Sequence, residues 1–175
     1  MDIHRQRGMT LAELLIVVAV VSLGLLAIGT YAVPWVAREG LKSGIYDVQT
    51  YMQLARIEAI GRNRDCRFVV DTSTNRISVL DAAGTPSIPG DDILLYDSEL
   101  PDTVSFARPD MGSAVTLDNV SGSIYQTLFG SDGIVGVGTG EVVMFGGSKY
   151  ERVQVFGAGG IRIQRWNGTA WATGS

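Results

Sequence analysis

The sequence predicts an α+β protein in which a long amino-terminal helix is laid against a mostly antiparallel β-sheet head. Three observations carry this. Residues 14–37 hold no charged side chain, while nearly all the acids and bases lie beyond them. Residues 41–59 repeat apolar positions at helical spacing. After Asp65 the chain turns into short runs of Val, Ile, Phe and Tyr separated by Gly, Pro, Asp, Asn and Ser, a pattern of strands and turns. The 175 residues leave room for one domain with its own core plus an appendage, at roughly 100 to 200 residues per domain.

Residues 1–8 are short and basic, with His4, Arg5 and Arg7, and they end in Gly8. Basic residues ahead of an apolar run hold that end in the cytoplasm. The 24 uncharged residues 14–37 make a helix of roughly 36 Å, enough to cross a hydrocarbon core of about 30 Å with some tilt. Glu13 stands at the edge of this run, where a carboxylate costs free energy and marks a functional position whose partner must be named. Cleavage after Gly8 would supply one. The new Met9 ammonium would lie one helical turn before Glu13 and pair with it, in its own chain or in a staggered neighbour. The alternative is that Glu13 simply occupies a first helical turn, where the dipole favours an acid by about 0.3 to 1 kcal/mol.

The run Gly8-Met9-Thr10-Leu11-Ala12-Glu13-Leu14-Leu15 resembles the class III signal peptide of type IV pilins and type II secretion pseudopilins. The resemblance implies cleavage between Gly8 and Met9 by a prepilin peptidase, N-methylation of Met9, and alignment of each incoming subunit by Glu13. It makes residues 1–8 a leader, 9–37 a transmembrane and filament-core helix, 38–61 the amphipathic half of that helix, and 62–175 a β-rich globular head. The implied partners are other pilin or pseudopilin subunits, the prepilin peptidase, a membrane assembly platform and the lipid bilayer. The implied location is a single pass through the inner membrane with the head outside the cytoplasm, and then a filament. Met9 departs from the family, which usually has phenylalanine there. An ordinary secretory signal cut near Ala27-Ile28-Gly29 is the rival reading. The apolar run continues past that site to Val36, and Glu13 sits at the threshold of its apolar region, and both are awkward for such a signal.

Beyond Pro34, the positions Leu41, Ile45, Val48, Met52, Ala55 and Ala59 form one apolar stripe with polar residues between them, an amphipathic helix that packs on the head. Joined to the apolar run, it predicts one helix from about Met9 to Ile60, about 78 Å long. Gly61 is the expected stop. Gly24 and Gly29 are weak helix formers, and Pro34 should remove one backbone hydrogen bond and bend or loosen the helix. Arg62, Arg64 and Arg67 follow the expected helix end, where positive charge suits the dipole.

In the head, residues 66–70 and 76–80 predict a hairpin around 71–75, and residues 82–92, with two prolines and two glycines, predict an exposed loop. Residues 93–97, 103–107 and 115–117 predict further strands. Residues 141–145, 151–156 and 161–166, joined by glycine-rich turns, predict a meander. The glycines at 130, 133, 136, 138 and 140 are assigned to turns and close approaches, because no strand-to-helix context suits a phosphate loop.

Leu54-Ala55-Arg56-Ile57-Glu58-Ala59-Ile60 resembles the helix end of the GspH/FimT family of minor pseudopilins and minor pilins, and Phe129-Gly130-Ser131-Asp132-Gly133 its turn before the last strands. The resemblance implies a structural subunit. Some FimT-like members bind DNA through a carboxy-terminal Gly-Arg-x-Arg motif, so Arg162, Arg165 and Trp166 are the residues to examine for a DNA contact. Here the arginines stand three apart, and strict alternation sends Arg162, Gln164 and Trp166 to one face and Arg165 to the other. A secreted β-rich binding domain is the remaining alternative.

Composition argues against catalysis and against general nucleic-acid binding. The chain carries 14 basic and 18 acidic residues, and loss of residues 1–8 leaves 12 against 17, a net charge of -5 before counting termini. The single histidine, His4, lies in the segment expected to be removed, so no imidazole is left for acid–base work or metal ligation. Cys66 is the single cysteine, so no intramolecular disulfide forms. The acidic pairs Asp91 with Asp92 and Asp97 with Glu99 lack an EF-hand-like spacing and read as solvated surface. No enzyme activity, cofactor or metal is expected.

Overall fold

The computed structural model describes residues 10–82 and 89–173. One helix, α1 (Leu11–Arg62), is followed by strands alone, apart from a 3-10 turn at Pro89–Asp91. Two compact units divide between Trp35 and Val36, within α1, and the second unit holds the rest of α1 and every strand.

In the first unit α1 starts at Leu11, and its described large apolar side chains from Leu11 to Leu25 are exposed. The helix is continuous through Pro34. Within the apolar run, side chains are described for residues 14–25 and 33–37. Among the described residues no helix is long and apolar enough to cross a membrane.

In the second unit the stripe predicted from spacing is the core seam: Leu41, Ile45, Val48, Met52, Ala55 and Ala59 are all buried against the strands. Full burial of a Leu, Ile, Val or Met side chain stabilises by roughly 1.5–3 kcal/mol, and this seam holds the helix to the head. The helix ends at Arg62, two residues past the expected Ile60. Asn63, at φ 52°, is the left-handed residue that stops it; its N–H donates to the Ile60 carbonyl (3.3 Å), and the Arg64 N–H donates to the Ala59 carbonyl (3.1 Å). This is a Schellman motif, built on Asn63 rather than on Gly61.

The head contains two sheets where the sequence predicted one, and their strand pairs are antiparallel. In the first, β1 (Cys66–Asp71), β2 (Arg76–Asp81), β3 (Ile93–Glu99), β5 (Asp118–Ser121) and β6 (Ile124–Phe129) run in the order β3-β2-β1-β6-β5. β7 (Val135–Val137) also pairs with β6. In the second, β4 (Ser105–Phe106), β8 (Gly140–Gly146), β9 (Lys149–Val155), β10 (Ile161–Trp166) and β11 (Trp171–Thr173) run in the order β11-β10-β9-β8-β4. The β1–β2 hairpin and the β8–β9–β10 meander stand where the turn chemistry placed them. Gly147 (φ 55°) and Ser148 (φ 68°) make the two-residue turn between β8 and β9, with the positive φ at both positions that matches strand twist.

The middle of the head differs from expectation. The strand expected over 103–107 is cut to Ser105–Phe106, and the one expected over 115–117 is a single bridge, Val115 to Val142. The strand β6, with β1 on one side and β5 on the other, was not anticipated, although Ile124, Tyr125, Thr127 and Phe129 are strong strand formers. Of the loop expected to be exposed over 82–92, residues 83–88 lie outside the described residues and Gly90 and Asp91 are exposed, while its two ends are buried, Ala82 wholly and Asp92 at its carboxylate.

Candidate functional site

Two regions hold the residues singled out from the sequence. Gly8 and Met9, the expected processing pair, and His4 lie outside the described residues. The Thr10 hydroxyl oxygen accepts from the Glu13 N–H (3.3 Å), and the Thr10 carbonyl accepts from the N–H groups of Glu13 (3.1 Å) and Leu14 (3.2 Å). Thr10 is therefore the N-cap and Glu13 the third helical residue. Thr10-Leu11-Ala12-Glu13 has the spacing of a capping box, a signal in the sequence that the reading of Glu13 passed over. Glu13 is exposed in the first turn, where the helix dipole favours its charge.

The second region is the carboxy-terminal sheet. β9 and β10 pair in regular register, with Arg165 opposite Glu151, Gln164 opposite Arg152 and Arg162 opposite Gln154. Arg162, Gln164 and Trp166 thus share a face, and Arg165 points to the other. The Arg165 Nε lies 2.9 Å from Glu151 Oε1, and the Arg162 guanidinium stands 5.4 Å from the Phe156 ring. Trp166 meets Trp171 of the neighbouring strand edge-on at 5.3 Å, and the Arg152 guanidinium covers Trp171 at 4.4 Å. The structure brings Trp166 and Trp171 together and keeps the two arginines apart. Each of the four side chains is engaged within the head.

Sequence reading missed the ion pairs that hold covering loops on the outer faces of both sheets. Arg67, expected to serve the helix dipole, instead sits in β1 facing away from Phe68 and Val70. Its Nε lies 2.7 Å from Asp92 Oδ2, with the two side chains 3% and 2% exposed, and its guanidinium also bonds Gln126. Asp92 is thus paired rather than solvated, and Asp97 pairs with Arg76. On the second sheet Glu141 accepts from both Arg108 and Arg152. Strand alternation predicts that Arg67 leaves the core face, but its partner lies 25 residues away across a loop.

The ionisable groups are held in structural roles. Burial pushes the Cys66 thiol up to about 11, and the nearby Asp81 carboxylate adds to the effect. Against a burial penalty, hydrogen bonds from Ser73, Ser123 and Thr74 hold the Asp71 carboxyl down at about 2. The hydrogen bond from Arg62, then the one from Tyr96, holds Glu58 below the usual carboxylate range. Among the described residues no group of three His, Cys, Asp or Glu side chains is placed to hold a metal ion. The cleft of about 340 Å³ beside the β1–β2 turn is lined by groups such as Thr72, Asn75, Ser105, Ser113 and Tyr125, with no carboxylate, lysine, arginine or histidine among its residues.

Comparison with known proteins matches residues 3–29 to the prokaryotic N-terminal methylation motif and residues 46–159 to the type II transport protein GspH family. Among solved structures, the type IV minor pilin FimU of Pseudomonas aeruginosa (strain PAO1) is similar, with 14% identity over 77% of this chain and 94% of that chain and a TM-score of 0.48. The minor pseudopilin EpsH from the type 2 secretion system of Vibrio cholerae is similar at 17% identity, over 70% of this chain and 94% of that chain, again with a TM-score of 0.48. No curated protein matches. With the methylation motif at its start and the GspH match over more than half its length, this chain belongs to the pilin-like GspH family.

Proposed function

We propose that the chain is a structural subunit of a type IV pilus or a type II secretion pseudopilus, and not an enzyme. It is cut after Gly8 by a prepilin peptidase, N-methylated on Met9, held in the inner membrane by residues 9–37 with the head outside the cytoplasm, and drawn by a membrane assembly platform into a filament with other pilin or pseudopilin subunits. The observation that carries this reading is the presence in one chain of the methylation motif over 3–29 and the GspH match over 46–159. The exposed apolar side chains of α1 from Leu11 to Leu25 support it, since such a surface needs lipid or sister helices to cover it.

Glu13 supplies the chemistry. Exposed at the third position of a capped helix, it offers a carboxylate in otherwise apolar surroundings. Cleavage after Gly8 creates an ammonium at Met9, and pairing that cation with the Glu13 carboxylate of the same or a neighbouring chain neutralises two charges whose isolation in lipid is costly. The test is the mass of the mature amino-terminal peptide in cells with and without prepilin peptidase. A peptide beginning at methylated Met9 only when the peptidase is present is the expected result. An amino terminus at Thr30, or an uncut Met1 in both strains, overturns the reading.

A further inference from the structure

The chain has two lysines, Lys42 and Lys149, and they line the same cleft. Lys42 lies on α1 and Lys149 opens β9, 107 residues later, so their meeting is a product of the fold. Arg38 and Arg165 line this cleft of about 270 Å³ as well, together with Glu39, Leu41 and Glu151. Elsewhere the basic side chains are mostly taken up inside the head: Arg62 by Glu58, Arg67 by Asp92, Arg76 by Asp97, and Arg108 and Arg152 by Glu141. Among the described residues, Arg165 is the one cation of the cleft with such a partner, Glu151. The Arg38 Nε donates to the Gly147 carbonyl (3.2 Å), which anchors that side chain without neutralising it. Lys42 and Lys149 are exposed. Four cations against two carboxylates leave the cleft positive on a chain whose net charge is -4.

We infer that this cleft takes the phosphate of anionic phospholipid headgroups while the subunit waits in the membrane. The inference rests on the membrane reading of residues 9–37 given above. Arg38 is the next residue in the chain after that run, and Lys42 follows one turn later on the same helix. Trp35, exposed three residues before Arg38, is of the type that settles at a membrane–water interface. Lysine ammonium groups bind phosphate as point charges on long stems that reach toward a surface, and basic residues within a Debye length of an anionic bilayer are drawn to it. Acidic segments of a protein partner would also suit the charge, but the position of Arg38 and Lys42 directly after the apolar run favours lipid.

The two lysines make the test specific. The full chain is placed in nanodiscs of phosphatidylcholine alone or of phosphatidylcholine mixed with phosphatidylglycerol, and acetylation of Lys42 and Lys149 by an amine-reactive reagent is followed by peptide mass spectrometry. Both lysines should be acetylated about fivefold more slowly in the anionic discs, with the difference removed by raised salt. Inorganic phosphate added to the phosphatidylcholine discs should give no protection, since it lacks the surface that concentrates the charge. In Lys42→Gln/Lys149→Gln, fewer phosphatidylglycerol molecules should stay with the protein in native mass spectrometry. Equal acetylation rates in the two lipids overturn the inference while leaving the membrane reading intact. Protection by free phosphate alone reassigns the cleft to a soluble anion, and protection that grows with protein loading in phosphatidylcholine discs reassigns it to a second copy; both overturn it. Failure of the chain to enter either disc overturns the membrane reading, and this inference with it.

Discussion

Arg67 Nε and Asp92 Oδ2 lie 2.7 Å apart, with both side chains almost wholly buried on the side of β1 opposite the helix-facing Phe68 and Val70. This pair ties the return of the 82–92 loop to the centre of the first sheet. Removing the Asp92 carboxylate takes a close counter-charge away from a buried guanidinium. Asp92→Ala should therefore cost about 3–5 kcal/mol in denaturant unfolding of the full chain in detergent, whereas Arg67→Leu with Asp92→Leu should cost clearly less. Additive losses in the double variant would show that the two residues act separately.

The Asp71 carboxylate organises the β1–β2 turn, accepting from the Ser73 N–H (2.9 Å) and the Ser73, Thr74 and Ser123 hydroxyls. Its folded value of about 2 lies below the reference of 3.8, so the charged form favours the folded state. The stabilisation is complete above about pH 4 and is lost as pH falls toward about 2. Asp71→Asn should lose about 1–2 kcal/mol at neutral pH and show a flatter stability profile across that acid window. A profile unchanged by the substitution would assign the acid sensitivity to other carboxylates.

Arg56 anchors the turn at Gly133, against which the β9–β10 turn at Gly159 packs. Its Nε donates to the Gly133 carbonyl (3.0 Å), and a Cβ on Gly159, which has a φ of 77°, would run into that same oxygen. Gly159→Ala should destabilise by about 2 kcal/mol or more, and Arg56→Ala by about 1.5–3 kcal/mol. Because the two changes damage one junction, their combined cost should fall short of the sum, as read from unfolding midpoints of the three variants.

Cys66 is fully buried, and with its thiol pushed up to about 11 it is protonated at neutral pH. A thiol reagent should react with the folded chain slowly at neutral pH and with one equivalent once the chain is unfolded. Rapid labelling of the folded protein would mean that the start of β1 opens readily.

Glu13→Gln keeps the side chain's size and removes its charge. If the chain is processed and assembled as proposed, maturation after Gly8 should continue, while the share of the subunit in the filament fraction should fall at least about tenfold, as measured by immunoblot of filament and membrane fractions. Loss of maturation instead would assign Glu13 to peptidase recognition.

The residues legible in the sequence are those whose signal is local. The helix stripe from Leu41 to Ala59 shows at once, because a 3.6-residue period repeats over several turns and each member reports the same face. The turns at 71–75 and 146–148 were equally plain, since Asp, Asn and Gly declare the conformations they favour. Thr10 and Glu13 sit three apart, so their cap is also a local fact.

What only the tertiary structure decided depends on residues far apart in the chain. β6 enters between β1 and β5 because burial of Thr127 and Phe129 favours it there, and the two sheets part because β8 pairs with β4 and β9 instead of with the first sheet. The partnership of Arg67 with Asp92, and the meeting of Lys42 with Lys149, follow from loop closure. Periodicity says which face a side chain takes. Which distant charge shares that face depends on how the whole chain balances the cost of closing its loops against burial and pairing, and no local pattern records that balance.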